Sequence, residues 1–192
     1  MKKRELTAYF NKHAKDRDGW IKHNWYYHEA LKNLCRFIVP PQSSVLDVGC
    51  GTGDLLHAVD SKHGVGVDFS PKMIELAAKK YPLLDWRVSD AETLGLGERF
   101  DYIIFSDLLG YLTDIECAFW SLQSVSHERT RVVITYYNYL WEPVLRLAEF
   151  LRLKAKQPVQ NWMSPGDVEN MLWLAGFEVV KKGNKLILPL GI

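Results

Sequence analysis

A glycine-rich stretch and two carboxylates are the residues whose types and spacing could do chemistry in this chain. Gly49-Cys50-Gly51-Thr52-Gly53 follows the run Val45-Leu46-Asp47-Val48 without a break, and a helical pattern opens at about Asp54. Glycines at alternate positions let the chain turn tightly and let a ligand approach the backbone, while the first N–H groups of the helix face the same space. A nucleotide-like ligand fits there. So does a purely steric reading, in which a tight strand-to-helix turn uses glycine for its own geometry. The third glycine comes two residues after the second, as GxGxG, whereas dinucleotide loops space it three residues on as GxGxxG. The tighter loop makes less provision for a pyrophosphate.

Asp47 is the exception in an otherwise apolar strand pattern. Burying a carboxylate costs on the order of several kcal/mol unless it is hydrogen-bonded, so Asp47 is expected near the strand's carboxyl end, facing backbone donors or a cation. Asp68 closes the next pattern, Gly64-Val65-Gly66-Val67. An acid at that tip can accept two hydrogen bonds from a ribose diol when its strand lies beside the first. It can equally cap a helix starting near Ser70-Pro71.

These positions matter only if strands and helices bring them together. Short runs rich in β-branched or aromatic residues predict strands at Val45–Val48, Gly64–Val67, Asp85–Val88, Tyr102–Phe105, Arg131–Tyr136 and Phe177–Val180. Helical spacing predicts helices over Trp20–Ile38, Gly53–Val59, Pro71–Lys80, Ile115–Ser124, Glu142–Lys154 and Pro165–Ala175. Alternating strands and helices indicate an α/β fold with a parallel sheet covered on both faces. A single domain over 1–192 divides into N-terminal cap helices (1–40), a core (43–136), a lid (137–164), and a last helix with terminal strands (165–192).

Composition narrows the partners. The 192 residues, 47% hydrophobic and 24% charged, suffice for one substantial core. With 24 Lys and Arg against 23 Asp and Glu, a net charge of +1 gives no reason to expect nucleic acid as a partner. Cys35, Cys50 and Cys117 share no metal-ligand or CxxC spacing, so no metal site is implied and reduced thiols in a cytoplasmic protein are expected. No signal-peptide pattern follows Met1, and no apolar run approaches the roughly 18 residues needed to span a bilayer.

Val45 to Leu56 and Val65 to Ala77 resemble the first two motifs of class I S-adenosylmethionine-dependent methyltransferases of the small-molecule type. Ser89-Asp90-Ala91 looks like the motif whose acid and following N–H read the adenine edge, and Phe100–Tyr111 like the fourth strand with its substrate-facing loop. The resemblance covers about residues 40–180, in order. It implies a Rossmann-like three-layer αβα sandwich, its C-terminal antiparallel hairpin short or incomplete, and an enzyme using S-adenosyl-L-methionine. By the resemblance, Gly49, Cys50, Gly51 and Gly53 contact the methionine part of that cofactor and Asp47 its ammonium. Asp68 holds the ribose, Phe69 and Met73 lie against the adenine, and Asp90 with Ala91 fixes its amino edge. Ser106 borders the cofactor at the fourth strand's tip, and Tyr26 or Tyr27 reaches its carboxylate. Packing on the sheet is the alternative for these aromatics.

Methyl transfer needs an acceptor lone pair in line behind the methyl carbon, so positioning and desolvation supply much of the catalysis. A hydroxyl acceptor also needs a proton acceptor, sought in Ser106-Asp107-Leu108-Leu109-Gly110-Tyr111. Where many relatives carry histidine this loop has Gly110 and Tyr111, which leaves Asp107, Tyr111 or a histidine from elsewhere. The Asn/Asp-Pro-Pro-aromatic motif of enzymes that methylate a flipped base is missing. In the lid, apolar residues on one helical face between Trp141 and Leu153, with Arg146, Arg152, Lys154 and Lys156, fit peripheral membrane contact through 141–156, a lipid-linked acceptor, or a lid packed on its own domain. The ending Leu190-Gly191-Ile192 lacks a polar tail and fits a piece of a longer bacterial enzyme, for which a glycan or polyprenyl-linked sugar is a further acceptor. Methyl transfer to a small-molecule, glycan or lipid-linked acceptor leads. A non-catalytic S-adenosylmethionine-binding module is the alternative, and a nicotinamide oxidoreductase is disfavoured by the loop spacing.

Overall fold

A computed structural model describes residues 3–137, 142, 143, 147, 150 and 161–184. Five strands, β1 (Ser44–Val48), β2 (His63–Asp68), β3 (Asp85–Val88), β4 (Phe100–Ser106) and β5 (Ser126–Thr135), form one sheet in the order β3-β2-β1-β4-β5. Every pairing is parallel, as helical crossovers require. The helices are α1 (Lys3–His13), α2 (Arg17–His23), α3 (Trp25–Ile38), α4 (Asp54–Ala58), α5 (Pro71–Lys80), α6 (Ile115–Ser121) and α7 (Pro165–Leu174). This is the covered parallel sheet expected from the alternation and the Rossmann-like αβα architecture that the resemblance implied.

The period of two sorts the side chains of the central strands. Leu46 and Val48 join Ile103 and Phe105 of β4 in a core sealed by Phe119 of α6 and by Val168 and Leu172 of α7. Val45 and Ile104 face the opposite layer, with Cys35 of α3 and Leu56 of α4. Both faces of β1 are covered, which is why its sequence reads as nearly all apolar. Alternation places Asp47 on the face of Val45.

Three segments depart from expectation. The Trp20–Ile38 helix is broken at Asn24, whose backbone N–H and side-chain amide both donate to the Trp20 carbonyl, at 3.0 and 3.1 Å. A side chain that bonds nearby backbone in this way competes with helix propagation. β5 starts at Ser126, earlier than Arg131, behind a register irregularity in which the Thr130 hydroxyl donates to the Phe100 carbonyl at 2.7 Å. Its polar residues His127, Glu128 and Arg129 concealed it. The sixth strand expected at Phe177–Val180 does not form. Gly176, at φ 82°, ends α7, and Phe177 N–H returns to Leu172 at 2.9 Å, so the chain folds back on its own helix. Lys182 then pairs with Glu169 of α7 at 2.8 Å.

The expected seventh strand at Lys185–Leu188 and most of the helix expected at Glu142–Lys154 lie outside the described residues. Glu142, Pro143, Leu147 and Phe150 are helical, with Leu147 and Phe150 exposed. Among the described residues no helix is long and apolar enough to cross a membrane.

Candidate cofactor and acceptor site

The loop after β1 is shaped by its glycines. Gly49, Gly51 and Gly53 have φ of 75°, 55° and 86°, a left-handed region that side chains enter only at a cost. Gly49 and Cys50 N–H both donate to the Val67 carbonyl, at 2.8 and 3.0 Å, tying the loop to β2. At the tip of β2, Asp68 Oδ2 accepts from Gly51 N–H at 3.0 Å and Oδ1 from Ser70 N–H at 2.8 Å. Asp68 therefore braces the loop and the start of α5 together. A carboxylate offers about four lone-pair sites, so these bonds leave capacity for a diol. Burial holds the Asp68 pKa above the usual carboxylate value despite both bonds.

Beneath the loop Asp47 is buried, and it accepts from the backbone N–H of Leu56 in α4. Its Oδ2 is buried with no hydrogen-bond partner. Burial, and then the negative charge of Asp68, push its pKa up to about 7. Cys50, whose thiol is also pushed up by burial, lies in the field of both acids.

The N-terminal helices dock over the strand tips. Lys3 pairs with Asp90 and with Glu92. Asn11 Oδ1 accepts from the Ser70 hydroxyl at 2.7 Å and from Lys72 N–H at 3.2 Å. Asp18 accepts from the Thr52 hydroxyl at 2.8 Å and pairs with Lys80 at 3.0 Å. This docking brings exposed Arg17 to the glycine loop, its Nε 3.8 Å from where a Cβ on Gly51 would stand. Burial raises the pKa of Asp68 and of Tyr137, and the Arg17 charge opposes that rise in both. Sequence reasoning missed Arg17, because no motif or spacing connects it to the loop.

The other cofactor candidates gather at the same edge. Phe10 of α1 meets Phe69 and Tyr111 edge-on, with ring centroids 5.5 and 5.2 Å apart. Met73 is buried in α5. Asp90 accepts from Glu92 N–H at 3.0 Å, opening a single 3-10 turn from Ala91 to Thr93. The acid expected at the adenine edge is thus also engaged by Lys3.

The β4 tip forms a second cluster. The Ser106 and Thr135 hydroxyls are 2.7 Å apart. Asp107 has φ 52° and donates its N–H to the Thr135 carbonyl at 2.8 Å. The Tyr27 hydroxyl donates to Asp107 Oδ2 at 2.5 Å, and the Thr135 hydroxyl to Oδ1 at 3.3 Å. Burial raises the Tyr27 pKa far above the usual phenol value, so it stays a donor. Tyr137 stacks on Tyr27, centroids 5.7 Å apart and planes 14° from parallel. Tyr26 is exposed and meets Trp25 edge-on. His28, next to Tyr27, has its pKa pushed down to about 4 by burial and by Arg17.

The methyltransferase domain family matches residues 13–182. The chain belongs to that family. Over 113 residues this methyltransferase-family chain is 33% identical to malonyl-[acyl-carrier protein] O-methyltransferase of Priestia megaterium, covering 54% of this chain and 40% of that protein. Over 72 residues it is 35% identical to the dTDP-4-amino-2,3,4,6-tetradeoxy-D-glucose N,N-dimethyltransferase of Saccharopolyspora spinosa, covering 36% and 29%. A solved S-adenosylmethionine-dependent methyltransferase of Thermotoga maritima, described as a possible histamine N-methyltransferase, aligns with a TM-score of 0.75 at 18% identity, over 91% of this chain and 82% of that one. This last likeness is one of fold. The chain spans less than half the length of the curated relatives it matches.

Proposed function

We propose that the chain binds S-adenosyl-L-methionine at the carboxyl ends of β1, β2 and β3 and directs its methyl group to a small molecule at the tip of β4. One arrangement carries this reading: a buried carboxylate oxygen without a partner on Asp47, the Asp68 carboxylate with lone pairs to spare and the guanidinium of Arg17 surround one glycine loop. An amino-acid group carries an ammonium and a carboxylate, so it is complementary to Asp47 and Arg17 at once. Arg17 takes the carboxylate role considered for Tyr26 or Tyr27. Asp68 holds the ribose hydroxyls through its remaining lone pairs. Gly49, Cys50, Gly51 and Gly53 supply the close backbone approach, Phe69 and Met73 the apolar wall beside the adenine, and Asp90 with Ala91 its polar edge.

When bound, the cofactor supplies an electrophilic methyl group on a sulfonium. The protein's own part is to orient the acceptor and exclude water at the β4 tip, where Ser106, Asp107 and Tyr111 lie. Asp107 is a hydrogen-bond acceptor for the acceptor's proton-bearing atom. Two of the curated relatives act on malonyl-[acyl-carrier protein] and on a dTDP-linked amino sugar, which supports a small-molecule or sugar acceptor here. The free cysteines fit a cytoplasmic setting.

Titration calorimetry with S-adenosylhomocysteine, S-adenosylmethionine and NAD tests the reading. Binding of the first two is expected, with none for NAD. Absence of binding by both adenosyl ligands to the folded protein sinks it. Mass spectrometry of extracts incubated with labelled methyl donor then separates an enzyme from a silent binding module.

A further inference from the structure

A recess opens beside the β4 tip, lined among the described residues by Asp107, Tyr136, Tyr137, Trp162 and Met163 with the Leu109-Gly110 backbone. Among these lining residues one carboxylate stands with three large aromatic rings. The chain re-entering after the lid closes one side. Asn161 N–H donates to the Gly110 carbonyl at 3.0 Å and its side-chain amide to the Leu112 carbonyl at 2.7 Å. Trp162 and Met163 are thereby fixed against the same loop that carries Asp107.

Asp107 is held as though its orientation matters. A left-handed backbone at a non-glycine residue is strained and collects at functional positions. Here φ is 52°, and the turn is locked by the Asp107 N–H bond to Thr135. The hydroxyls of Tyr27 and Thr135 aim the carboxylate without neutralising it. Tyr137 is in turn positioned by stacking on Tyr27, so one phenol orders both the acid and an adjacent ring.

We infer that this recess receives the amino group of the methyl acceptor, an amine with an aromatic or otherwise apolar body, and that Asp107 and the rings of Tyr136, Tyr137 and Trp162 select it over the corresponding alcohol. Aromatic faces carry negative charge density and attract a cation within about 6 Å of the ring centre. A carboxylate supplies the directional bond and a full opposite charge to the ammonium as it binds; the ammonium then gives one proton to the Asp107 carboxylate, and the freed nitrogen lone pair attacks the methyl carbon as the sulfonium C–S bond breaks. An alcohol of the same shape meets the same walls and can bond the same acid, but it gains neither the ring attraction nor the ionic part. The inference rests on the methyltransferase reading above and specifies its acceptor.

The test compares phenethylamine with 2-phenylethanol by calorimetry on the unmodified chain saturated with S-adenosylhomocysteine. The amine is expected to bind at least about tenfold more tightly, the ratio that 1.4 kcal/mol represents. Asp107→Asn is the informative variant, because asparagine tolerates a left-handed backbone and keeps an oxygen for Tyr27 while removing the charge. It is expected to bring the two probes within about twofold of each other, leaving S-adenosylhomocysteine affinity unchanged. Equal binding of both probes to the unmodified chain, binding of neither, or an undiminished amine preference in folded Asp107→Asn overturns the inference. Should that variant not fold, the comparison on the unmodified chain decides. Absence of an amine preference in the unmodified chain with intact S-adenosylhomocysteine binding removes the acceptor class alone, whereas failure of both S-adenosylhomocysteine and S-adenosylmethionine to bind removes the methyltransferase reading and this inference with it.

Discussion

Asp68 and Gly51 are joined by a hydrogen bond from the Gly51 backbone N–H to the Asp68 carboxylate, 3.0 Å long. The acid at the end of β2 is therefore part of the loop after β1 as well as the proposed ribose-binding group. Asp68→Ala is expected to loosen the loop and remove the diol acceptor together. S-adenosylhomocysteine affinity should fall by roughly 1–3 kcal/mol, with a lowered melting temperature. Calorimetry and thermal unfolding check both, and an unchanged dissociation constant in folded protein contradicts the assignment.

Arg17 provides a cleaner separation of parts of the ligand. Arg17→Ala should weaken S-adenosylhomocysteine roughly tenfold to a hundredfold, the loss expected for a charge-assisted bond. Methylthioadenosine, which has no amino-acid carboxylate, should bind both proteins alike. An equal loss for both ligands would mean that Arg17 supports the fold of the notch and does not read the carboxylate.

Gly53 tests the loop's steric requirement. A Cβ there would stand 2.3 Å from Trp86 Cη2, on a backbone at φ 86°. Gly53→Ala should cost roughly 2–4 kcal/mol from strain and overpacking. Gly97 also has positive φ, 73°, but no atom lies within 4 Å of its Cβ position, so Gly97→Ala should cost only about 1–2 kcal/mol. Chemical denaturation of the two variants measures the difference; equal losses rule out Trp86 as the cause.

Asp47 makes stability depend on pH. Its folded pKa of about 7 exceeds the usual carboxylate value, so the folded chain holds a proton that the unfolded chain has released. Stability is then greatest below about pH 4 for this group and declines as pH rises towards 7. Asp47→Asn should flatten that decline and stabilise the ligand-free protein at neutral pH, while weakening S-adenosylhomocysteine by loss of its ammonium partner. Melting temperatures across pH 4–8 check this, and an unaltered slope in the variant assigns the dependence to other groups, Asp68 first.

The strands of the core and the glycine loop were legible because their signals are local. Val45–Val48 is apolar on both faces since both are covered, and alternate glycines in one short stretch have few other uses. Polar edges were less readable. His127, Glu128 and Arg129 hid the start of β5, and Asn24 divided a helix whose apolar spacing ran straight through it. Phe177–Val180 has strand-like composition, yet Gly176 turns the chain back on α7 before it can reach the sheet.

By itself the sequence determined the layered α/β order, the glycine loop, and the acids at the tips of β1 and β2, because each depends on neighbours a few residues away. Only the tertiary structure decided the company those residues keep. Arg17 reaches the glycine loop, Lys3 engages Asp90, and Tyr27 fastens on Asp107 across eighty positions of chain. Such contacts are set by how the N-terminal helices dock on the folded sheet. Docking depends on the summed shape and charge of many residues brought together by folding, so no local pattern in the chain records it.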